Sequence, residues 1–351
     1  MKKIIFLIAL SYLVLGCKNN TSSKMYVDGL TTLPKGVACF QLLPKQAVVK
    51  FVDKYPIDLD VSDSLLYVIM AKSDTIIYIY DKNSGILKTK LGQVGYGPED
   101  IISPEFLRNN YELKNESRDL SFYDLNSRKI FEIDNYYHIS PYLDFVDEIY
   151  PSRSISISNN FWVGQRMAKN YPTMFQIYNS ITGKLVQVDY YPKVKDMDKL
   201  FDKNYMYGLN IVSNTEKNRI LAGMFFFDLI QIYDFNGKLI KEVSMTQGYD
   251  QEKALANLFN RNDYIGYPAI YSTNEFCYLR RDFIDGETRN VKKSQFVKMD
   301  WNGNIKAVYA IEEKLLGGFC VDNNILYCIS QEINQGTEDE YYKILSFELE
   351  S

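Results

Sequence analysis

Histidine is almost missing from this chain: its 351 residues hold one, His138. A single imidazole cannot build a His-rich zinc site or a pair of catalytic histidines. A Ser-His-Asp triad would have to use His138, and no G-x-S-x-G elbow carries a serine for it. In Tyr136-Tyr137-His138 it reads as a strand or loop residue beside tyrosines. Positive charge is short as well. Lys and Arg number 40 against 44 Asp and Glu, giving a net charge of -4 and a pI near 5.4. No basic domain can neutralise phosphates, which excludes nucleic acid as a partner. Helical patterning is scarce; its best stretch, Asp250 to Phe259, reads as an insertion in a loop. The only long apolar run is Ile4 to Leu15, too short and wrongly flanked for a permanent transmembrane helix. Five cysteines show no metal or redox spacing.

Aromatics are what the chain has in excess. They make up 15% of it, as 29 Tyr and 20 Phe against 2 Trp. Tyrosine at that level beside Ile and Val suits half-buried strands. One phrase recurs: an alternating apolar run, an Asp or Asn, a short polar turn with glycine, then a second alternating run. It appears at Ile76 to Leu91, Met174 to Val188, Leu229 to Val243 and Gln295 to Ala310. Alternation on both sides of such a turn predicts a hairpin, because glycine accepts the positive φ the turn requires. Upstream of these copies, or of the C-terminal run, sits a strand–turn–strand, as at Asp60 to Met70, Ser154 to Gly164, Ile211 to Gly223, Tyr271 to Leu279 and Phe319 to Ile329.

Each unit is therefore four antiparallel strands, a propeller blade. Asp119 to Asp134 is a less regular copy, either the middle or the outer two strands of its blade. The last unit stops one strand short at Lys343 to Glu350, so an N-terminal strand, Ala47 to Asp53, is expected to close the ring. Residues 45–351 divide into six blades of about 51 residues each, an ordinary blade size. The expected fold is all-β, a six-bladed β-propeller of four-stranded antiparallel blades. Cys320 and Cys328 flank one hairpin, leaving two readings: a facing pair, or buried free thiols together with Cys39 and Cys277.

Leu91 to Phe106 carries Gly92, Gly95, Gly97, Pro98 and Glu99, a spaced-glycine turn that takes the chain from one blade's outer edge to the next blade's inner strand. It resembles the G-x-x-G-x-G-P-x-E/Q stretch of NHL-type and TolB-like six-bladed propellers, and is especially similar to the propeller lipoproteins of Bacteroidetes. Glu99-Asp100 stands where Gly-Glu or Gly-Gln is usual. The resemblance implies the fold. It implies little about activity, since such propellers serve as scaffolds, binders, hydrolases and lyases.

Lys2 and Lys3, the apolar run and Val14-Leu15-Gly16-Cys17 form a secretory signal that resembles a bacterial lipoprotein signal with its lipobox. The resemblance implies cleavage after residue 16 and lipid on Cys17, a short leash over 17–44 and a globular body over 45–351. The membrane is then a partner through that lipid. Lys18 is not an acidic retention signal, which favours the outer membrane, with either its periplasmic or its surface side open.

Function is expected on the propeller face that gathers the second-to-third-strand and blade-to-blade connections, because those are long here: 165–173, 190–210, 245–268, 280–293 and 330–341. That face is read as presenting Arg166, Tyr171, Tyr205, Tyr207, Tyr264, Tyr267, Arg280 and Arg281. Arginine and tyrosine stack on sugars and anchor protein partners. The ligand residues are taken as Arg166, Tyr171, Tyr207, Tyr267, Arg280 and Arg281, in a binding module for a glycan, a peptide or an envelope protein. The alternative is a hydrolase or lyase with a carboxylate or calcium site in the central channel, drawing on Asp60, Asp63, Asp74, Asp81, Asp124, Asp234, Asp300 and Asp322. No other cofactor is expected, and no catalytic residue stands out.

Overall fold

The alternating runs form strands, and the polar turns fold each one back on its neighbour. The computed structural model describes residues 23–26, 37–95, 97, 100–108, 118–149, 152–166, 173–191, 206–333 and 340–349, with backbone alone at 23–26, 118–119, 152–153 and 333. Six sheets of four antiparallel strands form a ring. From the axis outward, blade 1 comprises Tyr55–Ser62, Leu65–Ala71, Thr75–Asp81 and Leu87–Gln93. Blade 2 comprises Pro104–Phe106, Arg118–Asp124, Lys129–Asp134 and Ile139–Asp144. Blade 3 holds Ser152–Ser158, Phe161–Arg166, Phe175–Asn179 and Lys184–Val188, and blade 4 Leu209–Asn214, Arg219–Met224, Ile230–Tyr233 and Leu239–Ser244. Blade 5 holds Tyr264–Ser272, Phe276–Ile284, Val291–Asp300 and Ile305–Ile311. Blade 6 takes Leu315–Asp322, Ile325–Ile333 and Glu340–Glu348 from the C-terminus.

Its fourth strand is Gln46–Val52, with Phe51 opposite Tyr342, so the N-terminal strand closes the ring as expected. The leash also adds edges: Ala38–Gln41 lies parallel to the fourth strand of blade 5, and Ser23–Tyr26 to that of blade 4. The irregular copy at 119–134 forms the middle strands of blade 2.

Burial follows from the ring. A middle strand is pressed between two neighbouring blades, so both its faces are covered and Leu66 to Met70 are all buried. The outermost strand Leu87–Gln93 has no buried residue. The core is accordingly a set of wedges, for instance Ile79, Phe106, Phe122 and Phe131 between blades 1 and 2. The recurrent acid is a turn cap. Asp300 Oδ1 accepts from the backbone N–H of Asn302 and Asn304, and Gly303 takes φ 74°. Asp81 and Asp234 do the same in blades 1 and 4.

Cys320 lies opposite Tyr327 and Cys328 opposite Phe319, so the two thiols point to opposite faces of the hairpin. Cys39, Cys277, Cys320 and Cys328 are free, and all but Cys39 are buried. Among the described residues no helix is long and apolar enough to cross a membrane.

Candidate functional site

First strands descend from the face of long connections, here the upper face, to the face of tight turns. Their upper halves enclose a cavity of about 440 Å³ touched by all six blades, with Asp58, Glu105, Ser154, Asn210, Ala269 and Gly317 as one contribution from each. It is blind. Past Phe106 the chain of blade 2 crosses the channel, and the Arg108 carbonyl accepts from Ser272 of blade 5, on the opposite side of the ring, through its N–H (3.0 Å) and Oγ (3.2 Å). The Arg108 guanidinium donates from Nη2 to Asp58 Oδ2 at 2.8 Å. Asp58 also accepts from the N–H of Leu59 and of Phe106. A side chain at position 318 would put its Cβ 1.9 Å from Asp58 Oδ1 and 2.9 Å from both terminal nitrogens of Arg108, so glycine there is what admits the ion pair. Burial would lower the Arg108 guanidinium, yet Asp58 carries it above its ordinary value. Arg108 Nη1 is buried without a hydrogen-bond partner among the described residues.

Glu105 stands exposed on the cavity wall and accepts from the Tyr123 hydroxyl at 2.5 Å. Burial, and then Glu105, push that hydroxyl well above its ordinary range. Arg280 reaches the cavity from the second strand of blade 5, donates from Nη1 to the Gly317 carbonyl at 2.7 Å and sits with Nε 3.1 Å from Asp282 Oδ2. Burial raises the Asp282 carboxyl despite that arginine.

A second compartment, of about 270 Å³, opens on the upper face between blades 4 and 5. Helix Gln251–Phe259 forms one wall, capped by Asp250, which accepts from the Lys253 N–H at 2.9 Å, and pinned by buried Leu255 and Leu258. Phe226, Tyr249 and Tyr264 supply rings, and Asp250, Lys253 and Asn257 supply polar groups. Asp228 lies at its base. It takes the Arg281 guanidinium in a fork (Nε 3.0 Å, Nη2 2.7 Å), the Tyr267 hydroxyl at 2.6 Å and the Thr246 hydroxyl at 2.6 Å. Arg281 Nη1 then donates to Gln295 Oε1 at 2.7 Å. Burial would raise the Asp228 carboxyl, but Arg281 and the two hydroxyls hold it below the usual range. The compartments adjoin at blade 4: Phe225 lines the channel cavity and its neighbour Phe226 the cleft, their rings 5.3 Å apart.

The residues taken from the sequence separate here. Arg280 and Arg281 lie inside strand Phe276–Ile284, and the loop that follows spans only 285–290, not 280–293. Consecutive strand residues face opposite ways, so Arg280 meets blade 6 while Arg281, 1% exposed, meets blade 4. Tyr267 and Tyr207 are fully buried rather than presented. Tyr267 supports Asp228, and Tyr207 packs against Phe227 and Tyr191. Arg166 is half-buried at the end of its strand in blade 3. Tyr171, Tyr205 and Cys17 lie outside the described residues, as do Pro98 and Glu99 of the glycine turn.

Asp81, Asp124, Asp234 and Asp300 bind turn amides, Asp322 pairs with Lys82 at 2.6 Å, and Asp60 accepts from Tyr271 at 3.1 Å. Among the described residues no three of His, Cys, Asp and Glu come together as a metal site would need. His138 is exposed in a lower-face turn of blade 2, 3.2 Å from Asp134. Arg108, Glu105, Asp228 and Phe226 were missed. The alternation Ile57-Asp58-Leu59-Asp60, two acids in an inner strand, was a signal for the channel.

No family model and no curated protein matches the sequence. Among solved structures, a member of the DUF4221 family from Bacteroides vulgatus is similar over 88% of this chain and 99% of its own, at 14% identity and a TM-score of 0.54. A protein of unknown function from Bacteroides thetaiotaomicron covers 89% of this chain and 75% of its own, at 8% identity and TM-score 0.45. Virginiamycin B lyase from Staphylococcus aureus covers 85% and 98%, at 13% identity and TM-score 0.40. The first of these shares the six-bladed propeller fold, and at such identity the likeness shows the fold alone.

Proposed function

We propose that this chain is a lipid-anchored protein of the cell envelope, held by Cys17 at the outer membrane, whose propeller binds a ligand on its upper face. The observation that carries the reading is the pair of adjoining compartments: a blind channel cavity of about 440 Å³ beside an aromatic-walled cleft of about 270 Å³. Two pockets side by side suit a ligand of several units. A glycan is favoured over a peptide or an envelope protein. The cleft offers Phe226, Tyr249 and Tyr264 as stacking faces with Asn257 and Lys253 among them, and the cavity offers Glu105 as acceptor and Arg108 Nη1 as donor. In the channel Asp58 is taken up by its own hydrogen bonds, which favours holding a ligand over cleaving one.

Residues 18–351 can be titrated calorimetrically with a panel of neutral and uronate-containing tetrasaccharides and of tetrapeptides. At least one tetrasaccharide is expected to bind, with Phe226→Ala weakening it tenfold or more in protein that still unfolds cooperatively above the titration temperature. Binding of tetrapeptides alone, or indifference to Phe226→Ala, would reject the glycan reading. Shorter products appearing in the mixture would establish a hydrolase or lyase instead.

A further inference from the structure

The lower face carries three exposed apolar side chains at corresponding places. Ile86 (62% exposed), Tyr136 (80%) and Ile181 (73%) stand in the third-to-fourth-strand turns of blades 1, 2 and 3. The same turns of blades 4 and 5 bury their aromatic residues, Phe235 and Trp301, and expose Asn236 and Asn302. Of the five third-to-fourth-strand turns, three are thus apolar at their tips and two are polar. Apolar tips repeated on three consecutive turns are not required by the hairpins, whose caps are the Asp and Asn residues.

The path of the leash says what these tips meet. Fourth strands rise from the lower face to the upper one. Ser23–Tyr26 runs parallel to the fourth strand of blade 4, with Ser23 opposite Lys241, and Ala38–Gln41 runs parallel to that of blade 5, with Ala38 opposite Ala307. Both segments therefore enter from below. Five residues lie between Cys17 and Ser23, six Cα steps that reach at most about 22 Å when fully extended. That reach lets an acyl group on Cys17 come to the lower rim at blade 4, next to the blade that carries Ile181.

We propose that the lower face of the disc rests on the membrane, with Ile86, Tyr136 and Ile181 seated among the lipid headgroups beside the anchor. This rests on the reading of Cys17 as lipidated. Isoleucine gains from leaving water and tyrosine suits the headgroup level, and the tether supplies the high local concentration that three small contacts need. The occupant is a neutral lipid surface rather than an anionic one, because Asp81, Asp134, Asp234 and Asp300 stand in these turns with only Lys82, Lys184 and Lys238. The two compartments on the upper face then open away from the membrane.

The test uses the lipidated full chain in phosphatidylcholine vesicles that contain a lipid-borne quencher. A fluorophore is placed at Ile181→Cys or, on the upper face, at Glu287→Cys, each in a Cys39→Ser background. Quenching at 181 is expected to exceed that at 287 several-fold, and Ile86→Asp with Tyr136→Asp should bring it down to the level at 287 while the protein still floats with the vesicles. Equal quenching at both positions in protein that floats would overturn the orientation and leave the anchor standing. Protein that does not float would overturn the anchor, and the orientation with it.

Discussion

Replacing Asp228 with alanine should be among the most damaging single changes in the ring. Arg281, 1% exposed, would lose the carboxylate that takes its Nε at 3.0 Å and its Nη2 at 2.7 Å. The hydroxyls of Tyr267 and Thr246 would lose their acceptor as well. Removing one partner of a buried ion pair costs about 3–5 kcal/mol, because the other charge stays behind without compensation. The double variant Asp228→Leu with Arg281→Met removes both charges, and exchanging a buried pair for apolar side chains is often close to neutral. Most of the loss should therefore be recovered, with a coupling of about 2 kcal/mol or more.

Urea unfolding at pH 7 reads both numbers from the midpoints at unchanged slope. Acid gives an independent check. Arg281 and the hydroxyls hold the folded Asp228 carboxyl below its ordinary value despite burial, so its stabilisation is complete above the unfolded value of about 3.9 and is lost as pH falls through the lower folded value. The gap between wild type and Asp228→Ala should then close only below about pH 4. A cost under about 1 kcal/mol for Asp228→Ala at pH 7, or additive losses in the double variant, would show that Asp228 and Arg281 do not act as a coupled buried pair.

Thiol reactivity follows burial: in a body beginning at residue 18, Cys39 should react promptly with a disulfide reagent, while Cys277, Cys320 and Cys328 react only on unfolding. Finding two thiols instead of four after denaturation without reductant would contradict the opposed orientation of Cys320 and Cys328. Gly266→Ala would place a Cβ 1.9 Å from the Phe225 carbonyl oxygen, at the wall between the two compartments. It should cost about 1–3 kcal/mol in thermal or urea unfolding. Deleting residues 1–53 removes the fourth strand of blade 6 and leaves Glu340–Glu348 an open edge. Broad, non-cooperative melting and aggregation on size exclusion are expected, whereas a sharp transition at the full-length temperature would show that closure is dispensable.

The ring was legible in the sequence because it is made of local signals. Alternation around glycine-containing turns marks the outer hairpins of blades 1, 3, 4 and 5, and strands next in sequence pair within one blade. The site was far less legible, since it joins residues from different blades. Asp58 and Arg108 are fifty positions apart, and Asp228 and Arg281 fifty-three. Arg280-Arg281-Asp282 read as loop because three adjacent charges are rarely buried. Here Gly317, Asp282, Asp228 and Gln295 supply partners that no local pattern reveals. The crossing at Arg108 follows the shortest first strand, Pro104–Phe106, in the blade whose repeat is least regular.

The proposed ligand site lies where the channel cavity and the blade 4–5 cleft adjoin. Hydrogen exchange of residues 18–351, with and without the tightest-binding tetrasaccharide of the panel, addresses it directly. Protection is expected in 104–108, 225–228 and 246–257, with the lower-face turns at 82–86, 135–138 and 180–183 unchanged. Protection confined to those lower turns, or absent from both upper compartments at saturating ligand, would contradict the account.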